Sequence, residues 1–153
     1  MEIRTHKPSD IPEISRLFFN TIRRINSRDY TQAQVQAWAP TIYNNEYWSR
    51  RFLKRQVVVA EFKGKIVGFA EYEPSGHVDC FYVHHEHQRL GIGKVLLQLI
   101  ETELQKQNVH RLYAEVSVTA RAFFESRGFT VVEERNAEYM EVSIKLYLME
   151  KYL

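Results

Sequence analysis

Apolar positions along the chain change period several times, and the changes divide it into elements. Residues 2–6 (EIRTH) alternate and predict a short opening strand, which Pro8 stops. Ile14, Leu17, Phe18, Thr21, Ile22 and Ile25 then recur at helical spacing, so a helix is expected over about 11–25. Asp10 as cap, Pro12 in the first turn and Glu13 as the second half of a capping box mark its start. The stretch 26–49 is less regular, with a short helical piece around 32–38 and a second short helix running to Arg55. Three strand signals follow over Gln56–Phe62, Ile66–Glu73 and His77–His84. The turn sequences Lys63-Gly64-Lys65 and Pro74-Ser75-Gly76 separate them, which predicts an antiparallel meander.

Beyond a polar loop, Ile92, Val95, Leu96, Leu99, Ile100 and Leu104 share one face of a helix predicted over 91–107. Lys94, Gln98, Glu101 and Gln105 take the other face. Arg111–Val116 is a strand, so strand, helix and strand form a right-handed βαβ unit with its two strands parallel. A shorter helix over Ala120–Arg127 ends at Gly128, and strands over Phe129–Glu133 and about Met140–Glu150 close the sheet. The pattern predicts one α+β domain over residues 1–153, a mixed and mostly antiparallel sheet flanked by helices around a central βαβ unit.

Charge and cysteine content narrow the function classes. Lys and Arg exceed Asp and Glu by 21 − 19 = 2, too balanced for a general nucleic-acid binder. A single cysteine, Cys80, excludes an internal disulfide and a cysteine-rich metal cluster, and reads as a small core residue. No apolar run approaches the roughly 20 residues of a membrane span. The opening MEIRTHKPSD lacks the apolar stretch of a signal peptide, so a cytoplasmic protein is expected. His84, His85 and His87 sit in an extended loop where neighbouring rings point apart, and no metal site is expected there.

The segment with the most chemistry runs from Tyr82 to Lys94. A strand ends, a loop follows, and Gly91 and Gly93 open the amphipathic helix. The first turn of a helix presents unpaired N–H groups with partial positive charge, and glycine lets an anion approach the backbone. With Arg89 and Lys94 at its two ends, the turn suits a diphosphate. The alternative is a helix start whose glycines serve only the turn. Neither the phosphate loop with its Lys-Ser/Thr nor a Gly-x-Gly-x-x-Gly is present.

Gln88-Arg89-Leu90-Gly91-Ile92-Gly93 resembles the Q/R-x-x-G-x-G/A signature of the GCN5-related N-acetyltransferase (GNAT) superfamily. The meander before it, the long helix after it, Ala120–Phe129 (ARAFFESRGF) and the ending Lys145–Leu153 (KLYLMEKYL) follow the family's order. The resemblance covers residues 1–153 and is most specific over 77–129; the loop Asp29–Pro40 is similar to one uncharacterised bacterial subgroup. It implies a GNAT-like fold and acetyl-CoA as co-substrate. Backbone groups of Phe81, Tyr82 and Val83 would pair with the pantetheine arm, and the Val83 N–H would polarise the thioester carbonyl. Gln88, Arg89, Leu90, Gly91, Ile92, Gly93 and Lys94 would hold the pyrophosphate.

Ser117 stands where relatives often carry Asn, and Phe124 where many carry a tyrosine that protonates the leaving thiolate. Both positions would adjoin the cofactor. Phe124 has no proton to give, leaving Tyr82, Tyr113, Ser117 and Thr119 as alternatives for the acid. The same departure supports a second reading, a non-catalytic acyl-CoA-binding sensor or regulatory module. For the base, Asp79 lies mid-strand among apolar neighbours, where a raised pKa suits the role; the alternative is a structural carboxylate hydrogen-bonded to a nearby loop or an arginine. Strict alternation puts His77, Asp79, Phe81 and Val83 on one face and Val78, Cys80 and Tyr82 on the other. In this family the irregular region shapes the acceptor pocket, so Tyr30, Trp38 and Trp48, with Glu71, are the expected pocket residues; a satellite core is the alternative for the rings. The basic residues around it, including Arg50, Arg51, Lys54 and Arg55, either attract an anionic acceptor or form solvated helix faces. The resemblance thus implies transfer of an acetyl group to a primary amine. A small-molecule acceptor is favoured over a peptide, without nucleic acid or membrane, and a homodimer is possible as in many relatives.

Overall fold

The computed structural model describes residues 1–153, and its seven strands form one sheet in the order β1-β2-β3-β4-β5-β7-β6. In chain order the elements are β1 (Glu2–Thr5), α1 (Ile11–Arg24), α2 (Gln32–Trp38), α3 (Asn45–Phe52), β2 (Gln56–Phe62), β3 (Lys65–Tyr72) and β4 (His77–Val83). Then come α4 (Ile92–Lys106), β5 (Arg111–Ser117), α5 (Arg121–Ser126), β6 (Thr130–Tyr139) and β7 (Val142–Tyr152). Every neighbouring pair is antiparallel except β4 and β5, which are parallel and joined through α4 as the periodicity implied. No helix is long and apolar enough to cross a membrane.

Each face of the sheet carries its own core. On one face Ile14, Leu17 and Ile22 of α1 and Trp48 of α3 pack on Val59 and Phe69. On the other, Leu96, Ile100 and Leu104 of α4 pack with Leu112 and Met149. The start of α4 is seated on β3 at Gly68, where a Cβ would stand 3.0 Å from Ile92 Cγ2 and 3.1 Å from Leu96 Cδ1. That close seat fixes where the N-terminus of α4, and so its unpaired amides, lies above the sheet.

Three expectations are corrected. Asp10 does not cap α1: its carboxylate is held by Arg4 at 2.8 and 3.0 Å and accepts the Lys7 N–H, because the charged partner is the stronger donor. Glu13 instead reaches across to accept the Ile66 N–H at 2.6 Å. The second strand of the closing hairpin starts later than expected and the first runs to Tyr139; Met140 and Glu141 turn the chain with φ of 48° and 66°, the positive pair of a tight hairpin turn. Strict alternation also fails on β4. Ala70 pairs Phe81 while Tyr72 pairs Val78, so β4 spends three steps against two on β3, a bulge at Asp79–Cys80. Val78 therefore joins Phe81 and Val83 on the α4 face, while Cys80 and Tyr82 remain on the α1–α3 face.

Candidate active site

The parallel pair separates almost as soon as it forms. β4 and β5 pair only at His77↔Tyr113 and Val78↔Ala114, and past these residues the strands diverge. Backbone polar groups alternate along an antiparallel ladder, and the His84 N–H donates to Val67 O at 2.8 Å. The same parity gives Tyr82, paired with Phe69, to β3 and turns the main-chain groups of Phe81 and Val83 toward the gap. The expected backbone role of Tyr82 is thereby corrected: its N–H is spent on β3, and its ring packs on Phe18 and Phe69 at 5.1 and 6.0 Å. Val83 O is already occupied by Thr21 Oγ1 at 3.1 Å and Gln88 Nε2 at 2.7 Å. What remains open in the gap are the N–H groups of Phe81 and Val83 and the Phe81 carbonyl.

At its mouth the gap widens into a cleft of about 600 Å³ between the end of α1, the start of α4 and the segment leading into α5. Gln88, Arg89, Gly91, Ile92, Gly93 and Lys94 form one wall. Arg89 (φ 60°) and Gly91 (φ 83°) both adopt the left-handed conformation, which bends the loop at the mouth of the cleft, and a Cβ at Gly91 would meet nothing within 4 Å. Gly93 is needed for packing, since a Cβ there would lie 3.1 Å from the Phe123 ring. Gln88 faces elsewhere than expected, its amide capping the carbonyls of Val83 and His84, and Leu90 points into solvent at 68% exposure. Arg28, Arg89 and Lys94 supply cationic groups around the cleft.

The far wall holds Ser117, Thr119, Ala120 and Phe123. Ser117 Oγ accepts the Ala120 N–H at 3.0 Å and so spends itself on the turn into α5. Phe124, expected beside the cofactor, is core instead: it is 3% exposed and its ring packs edge-on against Phe81, Phe123 and Phe129. Phe123, its neighbour, takes the cleft position. Among the candidate acids, Tyr113 is stacked on His77 and bonded to Ser75 at 3.2 Å, at the paired end of the strands. Thr119 Oγ1 is buried and has no partner. Thr119, one of the candidate acids, lines the cleft, as do Thr21 and Asn26, which no sequence motif marked.

On the α1–α3 face the bulge at Asp79–Cys80 meets a network of ion pairs. Glu71 is fully buried; its Oε1 accepts from Arg51 Nε at 2.5 Å and Arg55 Nη1 at 3.0 Å. Asp79 gives Oδ1 to Arg51 at 3.0 Å and Oδ2 to Arg55 at 2.8 Å. Both oxygens are thus engaged, and the expectation of a free base at Asp79 is corrected to a doubly paired carboxylate. Glu71 is likewise a buried anchor rather than a pocket wall. Arg51 Nη2 also lies 3.3 Å from Cys80 Sγ, and burial pushes that thiol well up. Burial opposes the Arg51 charge, but the carboxylates of Glu71 and Asp79 outweigh it and hold the guanidinium protonated.

Of the aromatic pocket residues expected, two are structural. Trp48 is fully buried among Phe18, Phe52 and Phe69, and Tyr30 is 8% exposed, its hydroxyl donating to Lys145 O at 2.6 Å and accepting from the Val118 N–H at 2.8 Å. Trp38 is buried too but stacks on Tyr139 of the β6–β7 hairpin at 6.3 Å. That hairpin brings Tyr139 into electrostatic range of Cys80, Asp79, Arg51 and Tyr47, and Tyr82 senses the same groups except Tyr47. Burial pushes the phenols of Tyr47, Tyr82 and Tyr139 above their ordinary pKa. Tyr47 and Tyr139, by contrast, are partly exposed.

A mixed sheet with one splayed parallel pair, and a glycine-bared helix start at the mouth of the splay, defines a GNAT-type acyltransferase. Residues 26–153 match the family model described as an acetyltransferase (GNAT) domain, and the chain belongs to that family. It is 30% identical over 139 residues to the uncharacterized N-acetyltransferase YafP of Escherichia coli K12, covering 90% of this chain and 87% of that one. A GCN5-related N-acetyltransferase from Rhodopseudomonas palustris has the same fold, with a TM-score of 0.94 at 24% identity over 99% of this chain and 95% of that one. The PaiA N-acetyltransferase of Thermoplasma acidophilum, solved in complex with coenzyme A, superimposes with a TM-score of 0.79 at 20% identity, covering 99% and 98%. The chain is accordingly an acyltransferase, and a non-catalytic module is not favoured.

Proposed function

We propose that this chain transfers the acetyl group of acetyl-CoA directly to a primary amine, with donor and acceptor bound together. The observation that carries the reading is the gap between β4 and β5: the N–H groups of Phe81 and Val83 are left without a strand partner there, at the floor of a cleft whose mouth is an anion-binding helix start. The coenzyme, when bound, supplies an acetyl thioester already activated toward amines. Phe81 and Val83 then act as the missing strand's partners, with one N–H polarising the carbonyl, a donor worth about 3–4 kcal/mol in a dry site. The loop from Arg89 to Lys94 meets the pyrophosphate.

Proton handling falls to few groups. A thiolate leaving group with a pKa near 8.5 departs without a strong acid. The Thr119 hydroxyl is the buried donor in the cleft that no protein group engages. Asp79 is held by two guanidiniums, so the acceptor's proton passes to water at the partly exposed Tyr47 and Tyr139. A covalent acyl-enzyme is disfavoured, because burial keeps Cys80 protonated. We favour a small-molecule amine over a peptide. Release of free thiol from acetyl-CoA across a panel of amines, with calorimetric titration of coenzyme A, tests the reading: turnover with at least one amine is expected, and Gly91→Asp abolishes binding and turnover together. Binding without turnover on any amine overturns the catalytic proposal.

A further inference from the structure

The turn that follows α1 (Asn26–Arg28) belongs to a segment tied to both of the diverging strands. At one end Thr21 Oγ1 donates to Val83 O on β4 at 3.1 Å; at the other, the Tyr30 hydroxyl accepts the Val118 N–H just past β5 at 2.8 Å. Between these ties Ile25, Asn26, Arg28 and Asp29 line the cleft. The Asn26 backbone carbonyl accepts the Asp29 and Tyr30 N–H groups at 3.0 and 3.1 Å, which fixes the turn. Its carboxamide is uncommitted: the residue is only 4% exposed and lines the cleft, yet its side chain makes no hydrogen bond within the protein. A buried amide without a partner costs folding free energy, so a bound partner accounts for its place in the wall better than the fold does.

The end of β4 shows what such a partner would lack. Val83 turns its main-chain groups toward the gap, but its carbonyl already accepts two hydrogen bonds, from Thr21 and from Gln88 Nε2 at 2.7 Å. Two lone pairs are the capacity of a carbonyl oxygen. A chain of amides laid along this end of β4 therefore finds the Val83 N–H for a carbonyl, but no acceptor on Val83 for an N–H. The segment that takes up the Val83 carbonyl through Thr21 is the one that carries the free Asn26 oxygen.

Resting on the proposed acetyl-CoA reaction, we infer that Asn26 is a coenzyme contact: its Oδ1 accepts an amide N–H of the pantetheine arm in place of the Val83 carbonyl. Of the coenzyme's parts that approach the gap, the arm's amides have N–H groups to place, whereas the thioester and the phosphates offer only acceptors. Because the segment is pinned at both ends, the contact is in place before the coenzyme arrives.

Calorimetric titration of coenzyme A into the whole protein and its variants tests this. Asn26→Ala should weaken coenzyme A about five- to tenfold, the effect of one hydrogen bond, and leave the unliganded Tm unchanged or higher. Thr21→Val releases one lone pair of the Val83 carbonyl, so in that background the arm regains a backbone acceptor and Asn26→Ala should cost less than about twofold. A side chain that only supported the fold would lower Tm and lose affinity equally in both backgrounds. Unchanged coenzyme A affinity in Asn26→Ala, with or without a raised KM for the amine, overturns the inference. An equal loss in the two backgrounds, or a fall in Tm of more than about 2 °C, does so too. If Thr21→Val does not fold, the affinity and Tm of the single variant decide. Failure of the parent protein to bind coenzyme A overturns the acetyl-CoA reading as well.

Discussion

Replacing Glu71 by alanine removes the carboxylate on which Arg51 and Arg55 converge beneath α3. Oε1 alone accepts from Arg51 Nε, Arg55 Nη1 and, at 3.4 Å, the Cys80 N–H, so a single side chain ties α3 to both β3 and the bulge of β4. The residue is fully buried, and both guanidiniums would keep their charge with only Asp79 and Glu73 to balance it. Removing one partner of a buried ion pair typically costs about 3–5 kcal/mol. For a domain of this size that is a fall in Tm of about 6–20 °C by calorimetry or circular dichroism. Glu71→Gln keeps an acceptor but loses the charge assistance, and should cost only about 1–2 kcal/mol. The pair Glu71→Leu/Arg51→Leu should recover part of the alanine loss, because two apolar side chains leave less charge stranded. An alanine variant that melts within 2 °C of the parent, yet loses acetyl transfer, would refute this reasoning. Such a result would return Glu71 to the role of an acceptor contact.

Four further outcomes are expected. Gly91→Ala should cost about 1–2 kcal/mol, because φ is 83° there while no atom lies within 4 Å, and coenzyme A titrations should show far less loss for Ala than for Asp. Thr119→Val should leave the unliganded Tm unchanged or higher, since the hydroxyl has no partner, and weaken coenzyme A binding; a lower Tm with unchanged affinity contradicts its assignment to the cleft. Burial first, then Lys65, His85 and His87, hold His84 down to about 4, whereas an unfolded histidine titrates near 6.5. The folded state then binds fewer protons, so stability falls as pH drops from about 6.5 to about 4, by about 1–2 kcal/mol after allowing for partial exposure. Urea midpoints at pH 7.5 and 4.5 should differ less in His84→Gln, and an undiminished difference rejects the assignment. Met140→Asn/Glu141→Gly suits a turn with φ of 48° and 66° and should raise Tm by about 3–6 °C; no rise argues against that turn geometry.

The division of the site into legible and hidden parts follows from what each residue does physically. The helix α4 was readable because six apolar residues repeat at its period, and the glycine loop because a backbone open to an anion admits few other residues. The length of β6 was not, since Glu133, Glu134, Arg135 and Glu138 leave no apolar alternation; pairing with β7 from Thr130↔Glu150 to Tyr139↔Val142 holds it in place. In the segment 26–49, a ring that fills the core and one that faces a ligand have the same composition, so Trp48 and Tyr47 were interchangeable until their burial was known.

The bulge matters most for function, because one inserted residue resets which side chains share a face. Strict alternation sets Asp79 and Cys80 on opposite faces, where the carboxylate could stand alone as a base. The bulge lets both reach Arg51, and the carboxylate is then balanced by two guanidiniums. The same shift moves Val78 onto the α4 face with Phe81 and Val83, while Cys80 and Tyr82 keep the α1–α3 face. A chemistry-bearing residue next to such a bulge has a role that depends on its neighbours across the sheet, and those neighbours here are the arginines of an irregular segment whose own sequence gave no sign of the contact.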